Sequence, residues 1–576
     1  MHTRSHALRA ASVFAVTVSA CGAISMEPAV AQDNTATWYV EAGAAPGGVG
    51  SMDAPFGSLA AVSAAAGADD TILVLPAAAN VPPLDGGIVL KPGQKLIGGG
   101  PAVQGSAPGA ALPRLTNTTT AGNGDAVELA RGSEVRNLVI TGALRGGIYG
   151  SNAVDSVVAG NDVAATNQRC ADGFMIGPFT LPPSIAVGVT APPLPDFITL
   201  NNGWAAIMTD FSTAAGAVRI EHNTVHDTAC GDGIDVRATG TSKLTAQVEG
   251  NALRDINLGL AKLSVLAIGV QAADSADLTA ALDGNSQTDI ASPATSPLNS
   301  LADSEGLFIN PLGRARMRVT VSNNQFRNGG GHFSANGLEY VTTSGTPDSE
   351  VTVTDSDFDT VTGDVIENYN LSTDGARHSL SLDHVRALNS VFPGAALNPI
   401  VPANLGTCLV TTNFGRTGHT HLSVANSDFA NCSADGIGLI AFTPQGSEPS
   451  TAALTFDIRD TSVSSTAANG INIANVGDTA VLEGSVARTT VAGAQQALVR
   501  VSSRDGTIGS AAIDFGGGSL GGAGMNCFAA GGSQVTVSGM SLAAQDNWWG
   551  RPEGPNRPQE AADAGHPLAA APRAGC

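Results

Sequence analysis

The sequence predicts an all-β protein, a single-stranded right-handed parallel β-helix with an N-terminal capping helix. Three observations predict it. A short strand followed by Asn, any residue and an apolar residue recurs along most of the chain. A Gly followed by alternating apolar residues comes after it in most units. The composition favours many short strands over helices.

The first pattern reads Asn137-Leu-Val139, Asn161-Asp-Val163, Asn223-Thr-Val225, Asn251-Ala-Leu253 and Asn324-Gln-Phe326. Asn285-Ser-Gln287 keeps the Asn and loses the apolar residue, whereas Ser356-Asp-Phe358, Asp383-His-Val385 and Ser427-Asp-Phe429 keep the frame with other turn-formers. Alternating runs such as Val319-Thr-Val321 and Val351-Thr-Val353 lie upstream. Asn accepts the left-handed backbone that a sharp bend requires, and stacked Asn amides can hydrogen-bond into a ladder. The shared frame predicts that Val139, Val163, Val225, Leu253, Phe326, Phe358, Val385 and Phe429 are buried along one line.

The second pattern appears as Asp172-Gly-Phe174-Met-Ile176, Asp232-Gly-Ile234-Asp-Val236, Glu305-Gly-Leu307-Phe-Ile309, Asn336-Gly-Leu338, Asp435-Gly-Ile437 and Asn469-Gly-Ile471-Asn-Ile473. Recurrences are uneven, at 24 residues from Val139 to Val163 and 32 from Phe326 to Phe358. One such unit cannot bury its apolar face alone, so stacked neighbours share a continuous core. A propeller needs four strands per unit and a left-handed β-helix a strict six-residue repeat. Neither occurs.

Composition agrees. The 576 residues include 70 Gly, only 4% aromatics and only 14% charged side chains. The net charge of −22 excludes a nucleic-acid partner, which needs a basic surface, and argues against an anionic membrane. Arg4 and Arg9 precede an apolar run from Ala10 to Val18, the layout of an export signal. Ala29-Val30-Ala31 before Gln32 is the favoured cleavage site. Val18-Ser19-Ala20-Cys21 offers a competing lipoprotein route through Cys21. The predicted division is residues 1–31 signal peptide, 32–100 cap and first coils, 101–545 β-helix and 546–576 tail. The protein is expected to be secreted or held at the cell surface, monomeric and without a membrane-spanning segment. Both routes leave six cysteines, an even number that suggests disulfides; none has Cys-x-x-Cys zinc spacing. Cys408 and Cys432 are one short coil apart, Cys170 and Cys230 one coil plus the Pro-rich insertion 178–195. That leaves Cys527 and Cys576 to tie down the tail.

With these repeats, the chain resembles the right-handed parallel β-helix superfamily of pectate lyases and polygalacturonases. Trp38-Tyr39-Val40, the segment 55–62, Asp70-Thr-Ile-Leu-Val-Leu-Pro76 and Lys91-Pro-Gly-Gln-Lys-Leu-Ile-Gly98 are similar to the family's entry, where a short helix plugs the first coil. Asp546-Asn-Trp-Trp-Gly550 resembles a frequent terminal motif. The resemblance spans roughly residues 37–555 and implies a fold more than an activity. Of the polygalacturonase motifs, Asp232-Gly-Ile-Asp235 matches one tail, and Gly331-His332 is followed by Phe333.

Residues alternating with the inward apolars of the Gly-Ile strands point outward. That stripe reads Tyr149, Met175, Asp235 with Arg237, Phe308 with Asn310, Glu339 and Asn472. Aromatics beside carboxylates and Arg suit a sugar. Asp235, Glu339 and Arg237 are the catalytic candidates, and Tyr149, Phe308 and Asn310 the substrate-binding ones. An ordinary solvated face is the plainer reading. His222, His226, Asp227, Asp232, Asp235 and Arg237 crowd one coil, where a His beside a carboxylate could act as a base. Asp172, Asp232, Glu305, Asn336, Asp435 and Asn469 share one turn position, which turn chemistry alone explains. Calcium is a candidate at Asp355, Asp357 and Asp359, although the glycine and terminal Glu of a calcium loop are absent. No metal ligand is assigned. The expected partner is an extracellular polysaccharide, bound or degraded. A non-catalytic structural or adhesive surface protein is the alternative.

Overall fold

The computed structural model describes residues 35–99, 112–180, 197–259, 262, 264–291, 303–327, 334–390, 406–443, 446, 448–529, 533–556, 562–573 and 576. The predicted export segment, with Cys21 and Ala31, lies outside them. So do most of the Pro-rich insertion and Gly331-His332-Phe333.

Each coil takes one strand from each of three sheets. In a central coil, Arg316–Ser322 belongs to the first sheet, Gln325–Arg327 to the second and Ser334–Thr342 to the third. The chain then returns to the first sheet at Asp348–Thr354, parallel to Arg316–Ser322, with Val351 beside Val319 and Val353 beside Val321. Repetition of this path gives first and second sheets of 17 and 13 strands among the described residues. The architecture is a parallel β-helix.

Period-two alternation builds its core. In the first sheet Leu278, Met317, Val319, Val351, Leu380, Leu422 and Leu454 turn inward and are buried. In the third, Ile148, Ile207, Ile234, Ile268, Leu307, Leu338, Ile366 and Leu409 form one inward line. The second sheet supplies Val163, Val225, Leu253, Gln287, Phe326, Phe358, Ala387 and Phe429 in register. Phe326 and Phe358 stack with centroids 5.7 Å apart and planes 10° from parallel.

The bends use two residues where one was expected to suffice. The left-handed residue is the one before the Asn: Gly160, His222, Gly250, Gly284 and Asn323 precede Asn161, Asn223, Asn251, Asn285 and Asn324 with φ between 54° and 63°. The Asn that follows is buried and turns its amide along the helix axis. Asn161 Nδ2 donates to Asn223 Oδ1, Asn223 Nδ2 to Asn251 Oδ1, Asn251 Nδ2 to Asn285 Oδ1 and Asn285 Nδ2 to Asn324 Oδ1, each at 3.0 Å. Ser356 Oγ continues the ladder by accepting from Asn324 N at 3.1 Å.

This division corrects two members of the predicted core line. Asn137 and His384 are themselves the left-handed residues, with φ of 57° and 54°. Their units are therefore shifted by one. Ile140, not Val139, stands beside Val163, and Val139 is half-buried. Val385 is buried in the ladder slot, and Ala387 takes the core position beside Phe358. A further correction concerns Asp172–Thr180, which is no coil strand. It pairs antiparallel with Phe197–Gly203 as a hairpin, and the coil strand is Ile207–Phe211. Met208, not Met175, occupies the outward position between Tyr149 and Asp235.

At the N-terminal end the short helix Leu59–Ala65 packs Leu59 and Val62 into the core. Ser58 Oγ accepts from Ala61 N at 3.3 Å, and Lys91 Nζ donates to the carbonyls of Ser63 and Ala66 at its other end. Asp70 ties down the first coil by accepting from Ala36 N at 2.7 Å, Gly67 N at 2.7 Å and Trp38 Nε1 at 2.8 Å. At the other end Asn547 joins the ladder, accepting from Asn526 N at 2.9 Å. Three disulfides join Cys170 to Cys230, Cys408 to Cys432 and Cys527 to Cys576, with Cα separations of 5.1, 5.4 and 5.5 Å. These are the expected pairs. No helix among the described residues is long and apolar enough to cross a membrane.

Candidate functional site

Two rows of side chains point outward from the third sheet. One runs Glu128, Tyr149, Met208, Asp235, Gly269, Phe308, Glu339, Glu367. The other runs Ser151, Asp210, Arg237, Gln271, Asn310. The rows begin open and then close. Tyr149, Asp210 and Arg237 are half-buried, whereas Asp235, Phe308 and Asn310 are 0% exposed and Glu339 6%. From Ala205 and Met208 onward this face carries a second apolar cluster that includes Phe308, Val341, Tyr369, Val410, Phe414 and Phe442. The expected sugar-facing stripe is thus a second core over most of its length. Parallel sheets are commonly covered on both faces, and here the covered outward positions mix apolar Phe308, Val341 and Val410 with buried Asp235, Asn310 and Glu339.

The open end is built around Arg145. Its guanidinium lies 3.9 Å from the Trp204 ring centroid and 5.0 Å from that of Tyr149, and the two rings meet edge-on at 5.1 Å. Buried Asp125 holds the guanidinium with two oxygens, Nε donating at 3.0 Å, and also accepts from Gly146 N at 2.7 Å. Burial pushes the Tyr149 phenol up from its ordinary range. Trp204 stands between the hairpin and the strand Ile207–Phe211, its backbone N–H donating to Ala171 O at 2.9 Å. The Cys170–Cys230 disulfide and the close approach of Gly203 to Gly231 fix that corner; a Cβ on Gly203 would lie 2.5 Å from Gly231 Cα.

Beneath this corner lie Asp232 and Asp235. Asp232 accepts from Leu266 N at 2.8 Å and from Asn202 Nδ2. Burial pushes Asp232 up to about 8. It raises Asp235 well above the carboxylate range, helped by the neighbouring Asp232 charge. Counted as two carboxylates, the pair would leave both Asp235 oxygens without a donor in the interior. A proton kept on Asp235 removes its buried charge. Buried Lys262 lies close enough to lower Asp232 slightly and is itself paired with Asp172.

Of the predicted catalytic set, Asp235 and Arg237 share a strand. Glu339 lies three strands away, roughly 14 Å at the usual strand spacing. Arg237 Nε donates to Gln271 Oε1 at 3.0 Å, and Gln271 Nε2 to Asn310 Oδ1 at 2.9 Å, forming a relay along the face. Glu339 belongs to a separate carboxyl group with Glu367 and Asp364. Burial pushes Asp364 up to about 7, and burial together with these three carboxyls raises Tyr369. Asn472 donates to Asp435 Oδ2 at 2.8 Å.

The remaining candidates are placed elsewhere or have structural partners. His226 lies on the outer face of the second sheet between Asp162 and Asp227, 2.7 and 2.6 Å from its ring nitrogens, and does not join Asp232 and Asp235. The shared turn position forms another ladder, in which Asp232, Asp364 and Asp435 accept backbone N–H bonds from the next coil. Asp357 pairs with Arg386 at 3.3 Å and Asp359 with Arg327 at 3.8 Å. Arg145, Trp204, Met208, Asp210 and Lys262 carried no sequence signal, because none lies in a repeat unit that could be aligned. No protein-family model matches this chain, and no curated protein does.

Proposed function

We propose that this chain is an extracellular protein that binds polysaccharide through the patch of Arg145, Tyr149 and Trp204. One observation carries the reading. At the end where the outer face of the third sheet opens, two aromatic rings and a clamped guanidinium stand together, beside half-buried Asp210 and Arg237. Ring faces pack on sugar C–H surfaces, and the charged neighbours can take hydroxyls or uronate groups. Affinity electrophoresis against neutral and acidic polysaccharides tests it. Trp204→Ala should weaken retention by one retained polymer at least tenfold with the fold intact. If the panel retains nothing, the structural or adhesive reading prevails.

A further inference from the structure

The outer face of the first sheet carries a shallow open depression of about 370 Å³, remote in sequence from the aromatic patch and on another sheet. Its walls come from five neighbouring strands. Arg377 stands in register with His419, and Ser379 with His421, which in turn lies beside Thr455. Arg377, His419 and His421 are exposed.

The charge balance of this spot is set by a diagonal ion pair. Asp348 is the in-register neighbour of Arg377 and would ordinarily pair with it. Arg318 takes Asp348 instead, at 2.9 Å, and also reaches Glu350 at 3.4 Å. Both carboxylates at that end of the depression are thereby engaged, and Arg377 has no ion pair among the described residues. His421 Nδ1 lies 2.9 Å from Thr455 Oγ1, which fixes the ring. A guanidinium, two imidazoles and the hydroxyl of Ser379 therefore converge on one concave surface whose carboxylates are already occupied, while Thr455 Oγ1 donates to Thr420 O at 3.5 Å.

We propose that this depression binds an oxyanion, the sulfate or carboxylate group of an anionic glycan or a free inorganic anion. The planar fork of Arg377 suits a two-oxygen contact, and the imidazole and hydroxyl groups supply further donors. The net charge of −22 does not oppose this. Charges more than about 8–10 Å away are screened at physiological salt, so the local donor set decides. Because the site is separate from the aromatic patch, it stands whether or not Trp204 binds sugar.

Isothermal titration of the full chain with a sulfated polysaccharide, a polyuronate, a neutral glucan, inorganic sulfate and inorganic phosphate tests it. At least one anionic probe should bind, with the glucan silent at this site. Polymer binding much tighter than inorganic-ion binding assigns a glycan source, and equal binding assigns a free anion. Arg377→Ser with His421→Ser should weaken the anion at least tenfold. Arg254→Ser, the same loss of charge on the second sheet, should change it less than twofold. Arg377→Lys should retain part of the binding, a readout that holds even if the double variant is unstable. The proposal is overturned if no anionic probe binds, or if the Arg254 variant loses as much as the double variant.

Discussion

Asp232 and Asp235 stand three residues apart with solvent excluded from both, and burial together with the charge of Asp232 raises Asp235 well above the carboxylate range. Two ionised carboxylates could not remain so placed, because burial penalises each charge. The native state therefore holds protons that the unfolded chain releases above its ordinary carboxylate range.

The first prediction concerns pH. Where the folded state binds more protons than the unfolded state, stability falls as pH rises. Asp232 is raised to about 8 and Asp364 to about 7, with Asp235 and Asp435 raised as well. Unfolding free energy should therefore fall between about pH 4 and pH 8, by about 1.4 kcal/mol per pH unit for each proton retained. Asp235→Asn should flatten the slope by about one proton. Urea midpoints that are constant or rising across this interval would contradict the retained-proton assignment.

The Asn ladder gives a second prediction. Asn251→Ala removes the acceptor of the Asn223 backbone and side-chain N–H groups and the donor to Ile220 O. Leaving these groups unpaired in the interior should cost about 2–4 kcal/mol. Denaturant unfolding of this variant beside Asn426→Ala, an exposed left-handed Asn, separates the ladder from the bend.

The Phe326–Phe358 stack gives a third. Both rings are buried and stack on each other, so Phe358→Ala should cost about 3–5 kcal/mol. Val139→Ala, in the half-buried slot beside that line, should cost about 1 kcal/mol or less. Equal losses would refute the register assigned to the second sheet.

For the disulfides, intact mass after alkylation should show none of these six cysteines reactive without reductant and all six reactive after it. Opening the Cys170–Cys230 loop of 60 residues should cost about 4 kcal/mol, and the 24-residue Cys408–Cys432 loop about 3 kcal/mol, on the chain-entropy account. The first should also weaken polysaccharide retention, because it holds the corner that carries Trp204.

The repeat, its Asn-containing bend and the cysteine pairing were legible in the sequence, because each depends on spacing along the chain; the repeat reads as two strands per unit, and the structure adds the short strand after the Asn as a third. Strand alternation fixes which residues turn inward, and a disulfide joins residues separated by whole coils. The Asn frame failed at Asn137 and His384, and the Gly-strand frame at Asp172–Thr180. An Asn can serve either as the left-handed residue or as the ladder residue, and only the neighbouring coil decides which. The outward residues were a different matter. Alternation says that Asp235, Phe308, Asn310 and Glu339 leave the core. It cannot say whether they reach water, since that depends on what packs over the sheet from distant parts of the chain. Tertiary structure closed that face from Met208 and Asp235 onward and left the end at Tyr149 open. It also brought Arg145, Trp204 and the Asp232–Asp235 pair together, and let Arg318 draw Asp348 away from Arg377. Burial and charge pairing are properties of three-dimensional neighbours, and a repeat pattern records only neighbours along the strand.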